Sequence, residues 1–146
     1  FIEAPLTYSV MKEDPLEEHS LYQPKNKLSS ELDFELNFYK SLYEKLPNDK
    51  RVIALLAELY SRNGSYDAGL ELDRKLVAMD SNDSIARYNL ACSLALMSEL
   101  SEALECLKEA IRLGFKELKW IFEDPDLANL RETEAFLAYK HELGIQ

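Results

Sequence analysis

The stretch that decides the fold is Lys50–Asp83, KRVIALLAELYSRNGSYDAGLELDRKLVAMDSND, followed without a break by Ser84–Glu117, SIARYNLACSLALMSELSEALECLKEAIRLGFKE. Sliding Lys50 onto Ser84 lays one on the other. Leu56 falls on Leu90, Ala57 on Ala91, Gly64 on Ser98, Gly69 on Ala103, Leu70 on Leu104 and Val77 on Ile111. The same offset carried backwards sets Leu36 on Leu70, Leu42 on Leu76 and Asp49 on Asp83, so a half repeat precedes the two full ones. Self-similarity at a period of about 34 residues marks a stack of supersecondary units, each too small to bury its apolar face alone.

Each copy reads as two helices. Val52, Ile53, Leu56, Leu59 and Tyr60 recur at helical spacing, with Asn48 or Asp49 as the cap and Gly64 where a left-handed C-terminal cap is wanted. The second helix is expected from about Tyr66 to Met79. Ser81-Asn82-Asp83 then makes a turn and caps the next helix. Small residues (Ala57, Gly69, Ala91, Ala103, Ala110) fall where paired helices approach closely. Because Gly in a helix costs about 0.5–1 kcal/mol relative to Ala, and Ala103 holds the matching place, Gly69→Ala is expected to be neutral or stabilising.

These motifs, Leu56-Ala57-x-x-Tyr60 with Gly64-x-Tyr66, Gly69 and Leu76, and Leu90-Ala91-x-x-Leu94 with Ala103, Leu107 and Ala110, resemble the tetratricopeptide repeat family over roughly residues 31–146. Gly69 stands where the family has Ala, Asp73 where it usually has an aromatic, and Ser81 and Phe115 where it often has Pro; Pro47 does hold that last position in the half repeat. The ending Asp124-Pro125-Asp126-Leu127-x-x-Leu130-Arg131, followed by Phe136, is similar to units that close such arrays. The resemblance implies an all-α fold: a short α-solenoid of antiparallel helix pairs wound as a right-handed superhelix. The domains expected are an extended arm over 1–30, a half repeat over 31–49, repeats over 50–83 and 84–117, and an end cap over 118–146. An end unit must present a polar outer face so that stacking stops.

The chain has 146 residues, enough for one domain or a short array. Lys and Arg number 17 against 27 Asp and Glu, a net charge of −10. That balance disfavours nucleic acid, whose binding rests on neutralising phosphates, and equally an anionic membrane surface. Two Cys are too few for a disulfide scaffold. Residue 1 is Phe, so the chain reads as a processed or excised one with room for a lost upstream targeting signal, and Met11 is a candidate native start that would make 1–10 an extension or tag. A cytoplasmic location is expected. Pro5, Pro15 and Pro24 interrupt an arm rich in apolar residues, among them Leu6, Tyr8 and Val10. Such an arm is expected to dock on the rest of the molecule, or on a second copy as a homodimer.

Chemistry-bearing patterns are few. The four Gly are isolated, so no phosphate loop forms. His19 and His141 lack metal-ligand spacing. Asp80-x-Asn82-Asp83 lacks the Gly and bidentate Glu of a calcium loop and reads as a capping turn. Cys92 and Cys106 have no activating neighbour in sequence, and Asn63-Gly64-Ser65 and Asn82-Asp83-Ser84 are turn sequences before they are glycosylation sites. No cofactor, metal or catalytic residue is expected.

What remains is surface. By resemblance, the first helices of successive repeats line a concave groove, which here takes Arg51, Glu58 and Arg62 from one repeat, Ile85, Tyr88, Asn89 and Cys92 from the next, and Phe122 beyond. Asn89 matches the family's clamp for a terminal carboxylate, whereas Ala54 and Glu58 replace a Lys and an Asn, so that subclass is rejected. Either the apolar middle of the groove contacts a peptide or neighbouring helices cover it as core. The function expected is a non-catalytic interaction module that binds a protein or peptide segment. The alternative is a self-associating structural domain whose groove, near Tyr88, holds its own arm.

Overall fold

Two aspartates at matching positions start the two copies in the same way. The Asp49 carboxylate accepts from the backbone N–H groups of Arg51 (2.9 Å) and Val52 (3.1 Å). Asp83 accepts from those of Ile85 (3.0 Å) and Ala86 (3.1 Å). Each satisfies donors that a helix start leaves without partners. A computed structural model describes residues 25–145, with side chains from residue 29.

Among the described residues there are eight α-helices and no strand. They are α1 (Lys25–Lys45), α2 (Lys50–Arg62), α3 (Tyr66–Met79), α4 (Ser84–Leu96), α5 (Leu100–Arg112), α6 (Leu118–Glu123), α7 (Ala128–Arg131) and α8 (Glu134–Glu142), with a 3-10 turn at Pro125–Leu127. The protein is all-α, built from helices packed in adjacent pairs in the manner of a short α-solenoid. The starts of α2 and α4, and of α3 and α5, stand one repeat length apart, as the internal similarity requires.

The helix ends repeat too. Gly64, at φ +80°, lets its own N–H reach Ser61 O and the Ser65 N–H reach Tyr60 O. Ser98 makes the matching pair of bonds at the end of α4, at φ +62° and without the freedom of glycine.

The chain divides into two compact units between Leu72 and Asp73, inside α3. In the first, α1 packs on α2, with Leu36 buried, Lys40 over the Tyr60 ring and Arg62 3.8 Å from Glu35. Helix α3 meets α2 at Gly69. A methyl group there would lie 3.2 Å from the Ala57 carbonyl oxygen and 3.7 Å from Tyr60 Cβ. Gly69→Ala therefore sets a gain in helix propensity against a tight contact, because the Ala57 carbonyl would have to give by a few tenths of an ångström. Helix α1 departs from expectation. It starts at Lys25, inside the stretch read as arm, because Lys25–Ser30 carries no helix breaker after Pro24. The rest of the expected arm, 1–24, lies outside the described residues.

The second unit is built around α4 and α5. Helices α4 and α5 pack along their length through Ala91, Leu94, Ala95, Ala103, Leu107 and Ala110, all buried. Asp73 and Ser93 are both buried, and the Ser93 hydroxyl donates to the Asp73 carboxylate, which gives a buried acidic group a partner. The end unit contributes Ile121, Leu127, Leu130 and Phe136 to the same core. Its outer side is mixed, since Leu137 and Leu143 are exposed beside Glu134, His141 and Glu142.

Candidate partner-binding surface

The residues expected to line one groove fall into the two units. Arg51, Glu58 and Arg62 stand on α2 in the first; Ile85, Tyr88, Asn89, Cys92 and Phe122 belong to the second.

In the second unit the expected apolar wall is core. Tyr88 is 1% exposed, and Ile85, Cys92 and Ala95 are also buried. The Tyr88 ring stacks on Phe115 with centroids 4.3 Å apart and planes 8° from parallel. Its hydroxyl donates to Asp124 Oδ2 at 2.7 Å, and Cys92 Sγ lies 3.8 Å from the same oxygen. Asp124 is 1% exposed. Its other oxygen accepts from the Asp126 N–H at 3.0 Å, so Asp124 caps the Pro125 turn. Burial above all, then the nearby Cys92 and Asp124, raises the Tyr88 pKa and keeps the phenol a donor.

The same segment closes over α4 further along. Asn129 Nδ2 donates to Ala95 O at 2.6 Å, and Arg131 Nη1 donates to Asp124 O at 2.7 Å and Ile121 O at 3.1 Å. The chain's own end unit therefore occupies the wall around Tyr88. Signals for this were present in the sequence: Phe115 is an aromatic one repeat length beyond Ser81, and the Asp-Pro-Asp turn supplies a carboxylate that reaches Tyr88. Asn89 and Phe122 stay partly accessible, with Lys140 over the Phe122 ring.

On α2 the equivalent face is accessible. Arg51 and Arg62 are exposed, and Ala54, Glu58 and Ser61 are partly so. They lie at i, i+3, i+7, i+10 and i+11, one stripe of a helix. The surface is polar and of mixed charge, and suits hydrogen bonding to an extended segment more than burial of apolar area.

Elsewhere ionisable groups pair on the surface or lie buried. Arg74 and Glu102 make a two-pronged bond at 2.7 and 3.0 Å, which raises the arginine and lowers the carboxyl. Both are exposed, so the pair adds little to stability. Burial pushes the Cys106 thiol up, against the pull of nearby Arg87. Among the described residues no group of three His, Cys, Asp or Glu is placed to hold a metal ion, and no helix is long and apolar enough to cross a membrane.

No family model matches the chain, and no solved structure matches it. It is similar to a chloroplastic protein of Arabidopsis thaliana, with 30% identity over 103 residues. The match covers 68% of this chain and 30% of that protein, so the chain spans under a third of the relative's length.

Proposed function

We propose that this chain is a non-catalytic protein-interaction module of the tetratricopeptide type, which holds a protein or peptide segment against the inner face of α2. One observation carries the reading. At matching positions of the two copies, α4 is sealed by the chain's own end unit, whereas α2 keeps Arg51, Ala54, Glu58, Ser61 and Arg62 accessible. Two arginines set three helical turns apart suit a segment bearing carboxylates, which planar guanidinium groups grip in pairs. Nucleic acid and membrane remain poor partners for a chain of net charge −10.

A test is capture of partners by the chain with and without the double change Arg51→Glu and Arg62→Glu. Melting should fall only slightly, because both side chains are exposed and only the screened 3.8 Å approach of Arg62 to Glu35 is reversed, and acidic partners should be lost. Equal recovery by both proteins refutes the α2 face as the binding surface. The sequence alone suggests a cytoplasmic location, while the likeness to a chloroplastic protein favours a plastid. Fluorescent tagging of the complete gene product in the source cell decides between them.

A further inference from the structure

Helix α1 buries Leu36 against its neighbour and turns Phe34 and Phe38 outward, 73% and 53% exposed. Two aromatic rings one turn apart on open surface call for a partner. The repeat sharpens the point. One and two repeat lengths beyond Phe38 stand Leu72 and Cys106, which are 8% and 7% exposed. The register that the full repeats cover is uncovered in the half repeat.

The charges on this side of α1 say what fits. Glu31, Phe34, Phe38, Ser41 and Lys45 follow one another at i+3, i+4, i+3 and i+4, all exposed. An acid stands at one end, a base at the other, and the aromatics between them. A helix with this stripe is complementary to itself when reversed. Turned about Phe38, a second α1 sets Lys45 beside Glu31 at both ends, Phe38 against Phe38, and Phe34 against Leu42. We propose that the protein forms a two-fold dimer in which α1 pairs antiparallel with α1 of a second copy. The contact is isologous and closes on itself, so assembly stops at two. It uses the side of α1 opposite α2 and is independent of the peptide surface on α2.

Sedimentation velocity of the 146-residue chain from low to high micromolar concentration tests this. A monomer–dimer equilibrium is expected, weakened by Phe38→Ser. Glu31→Lys and Lys45→Glu alone should each weaken association by about tenfold, since each change replaces two attractive pairs by two repulsive ones. The two variants mixed in equal amounts should associate again, because every end pair is then of opposite charge. A chain that stays monomeric throughout overturns the proposal, including the case where footprinting finds Phe38 covered by residues 1–24. A dimer that ignores Phe38→Ser overturns it too, since another surface is then responsible. Failure of the mixed variants to recover excludes the antiparallel arrangement.

Discussion

At matching positions α2 carries Arg51, Ala54, Glu58 and Arg62, and α4 carries Ile85, Tyr88, Cys92 and Leu96. Both helices have 13 residues, both start on an aspartate cap, and both end in a left-handed residue. The faces that carry these residues nonetheless do opposite things. The α4 face is apolar and takes up Phe115, Asp124 and Asn129 from its own chain. The α2 face carries charge and is exposed at Arg51 and Arg62, partly so between them. One backbone plan thus serves as core in one copy and as surface in the other, and the choice is made by four side chains on one stripe.

The most severe way to break this comparison is to end the chain at Phe115. The α4 face would lose Asp124, Leu127, Asn129 and Leu130 together. The second unit should cease to melt cooperatively and should aggregate, as seen by calorimetry and light scattering. A soluble, cooperatively melting product would show that the end unit is dispensable.

Next is Asp124→Ala. It removes the acceptor of Tyr88 and the cap of the Pro125 turn, and should cost about 2–4 kcal/mol in urea denaturation. Arg51→Ala, on the open face, should stay within about 0.5 kcal/mol. Equal costs would erase the distinction between the faces.

The buried phenol gives a pH test. Tyr88 has its pKa raised above 10.0 in the folded state. Its stabilising contribution is complete below the unfolded value near 10 and is lost as pH rises beyond it, by up to about 1.4 kcal/mol per pH unit. The Tyr88→Phe variant should start less stable and lose less between about pH 9.5 and 11. Tyr139, also raised by burial, remains in both proteins and cancels. Parallel curves would mean that Tyr88 meets solvent.

Smaller effects sharpen the comparison between copies. Gly69→Ala should cost about 1 kcal/mol, because the methyl group would press on the Ala57 carbonyl; the matching Ala103 is already accommodated. Ser98→Gly should add about 0.5–1 kcal/mol by relieving a left-handed serine at the place where the first copy uses Gly64. Thermal melts of the two variants should move in opposite directions.

Much of the fold was legible in the sequence because an internal repeat constrains every position twice. The caps Asp49 and Asp83 and the turn at Gly64 follow from local chemistry, and they stand where spacing put them. The surface was less legible. Ile85, Tyr88 and Cys92 read as groove because register says which way a side chain points and not what lies in front of it. Their cover comes from Phe115 and from residues 124–131, whose turn geometry no periodicity announces. Gly69 illustrates a related point: helix propensity is a local quantity, and the 3.2 Å from an added methyl group to Ala57 O is set by another helix. The start of α1 was missed because apolar content before Pro24 suggested one continuous arm.

The order of covering along the chain has a consequence during synthesis. Helix α2 finds its partner α1 upstream, already made when α2 appears. Tyr88 must wait for Asp124, 36 residues later. At about 5–20 residues per second, the apolar face of α4 stands bare for roughly 2–7 seconds on every ribosome. A nascent chain paused between these two points would present Ile85, Tyr88 and Cys92 to whatever is nearby, and that interval is where a chaperone would find its grip.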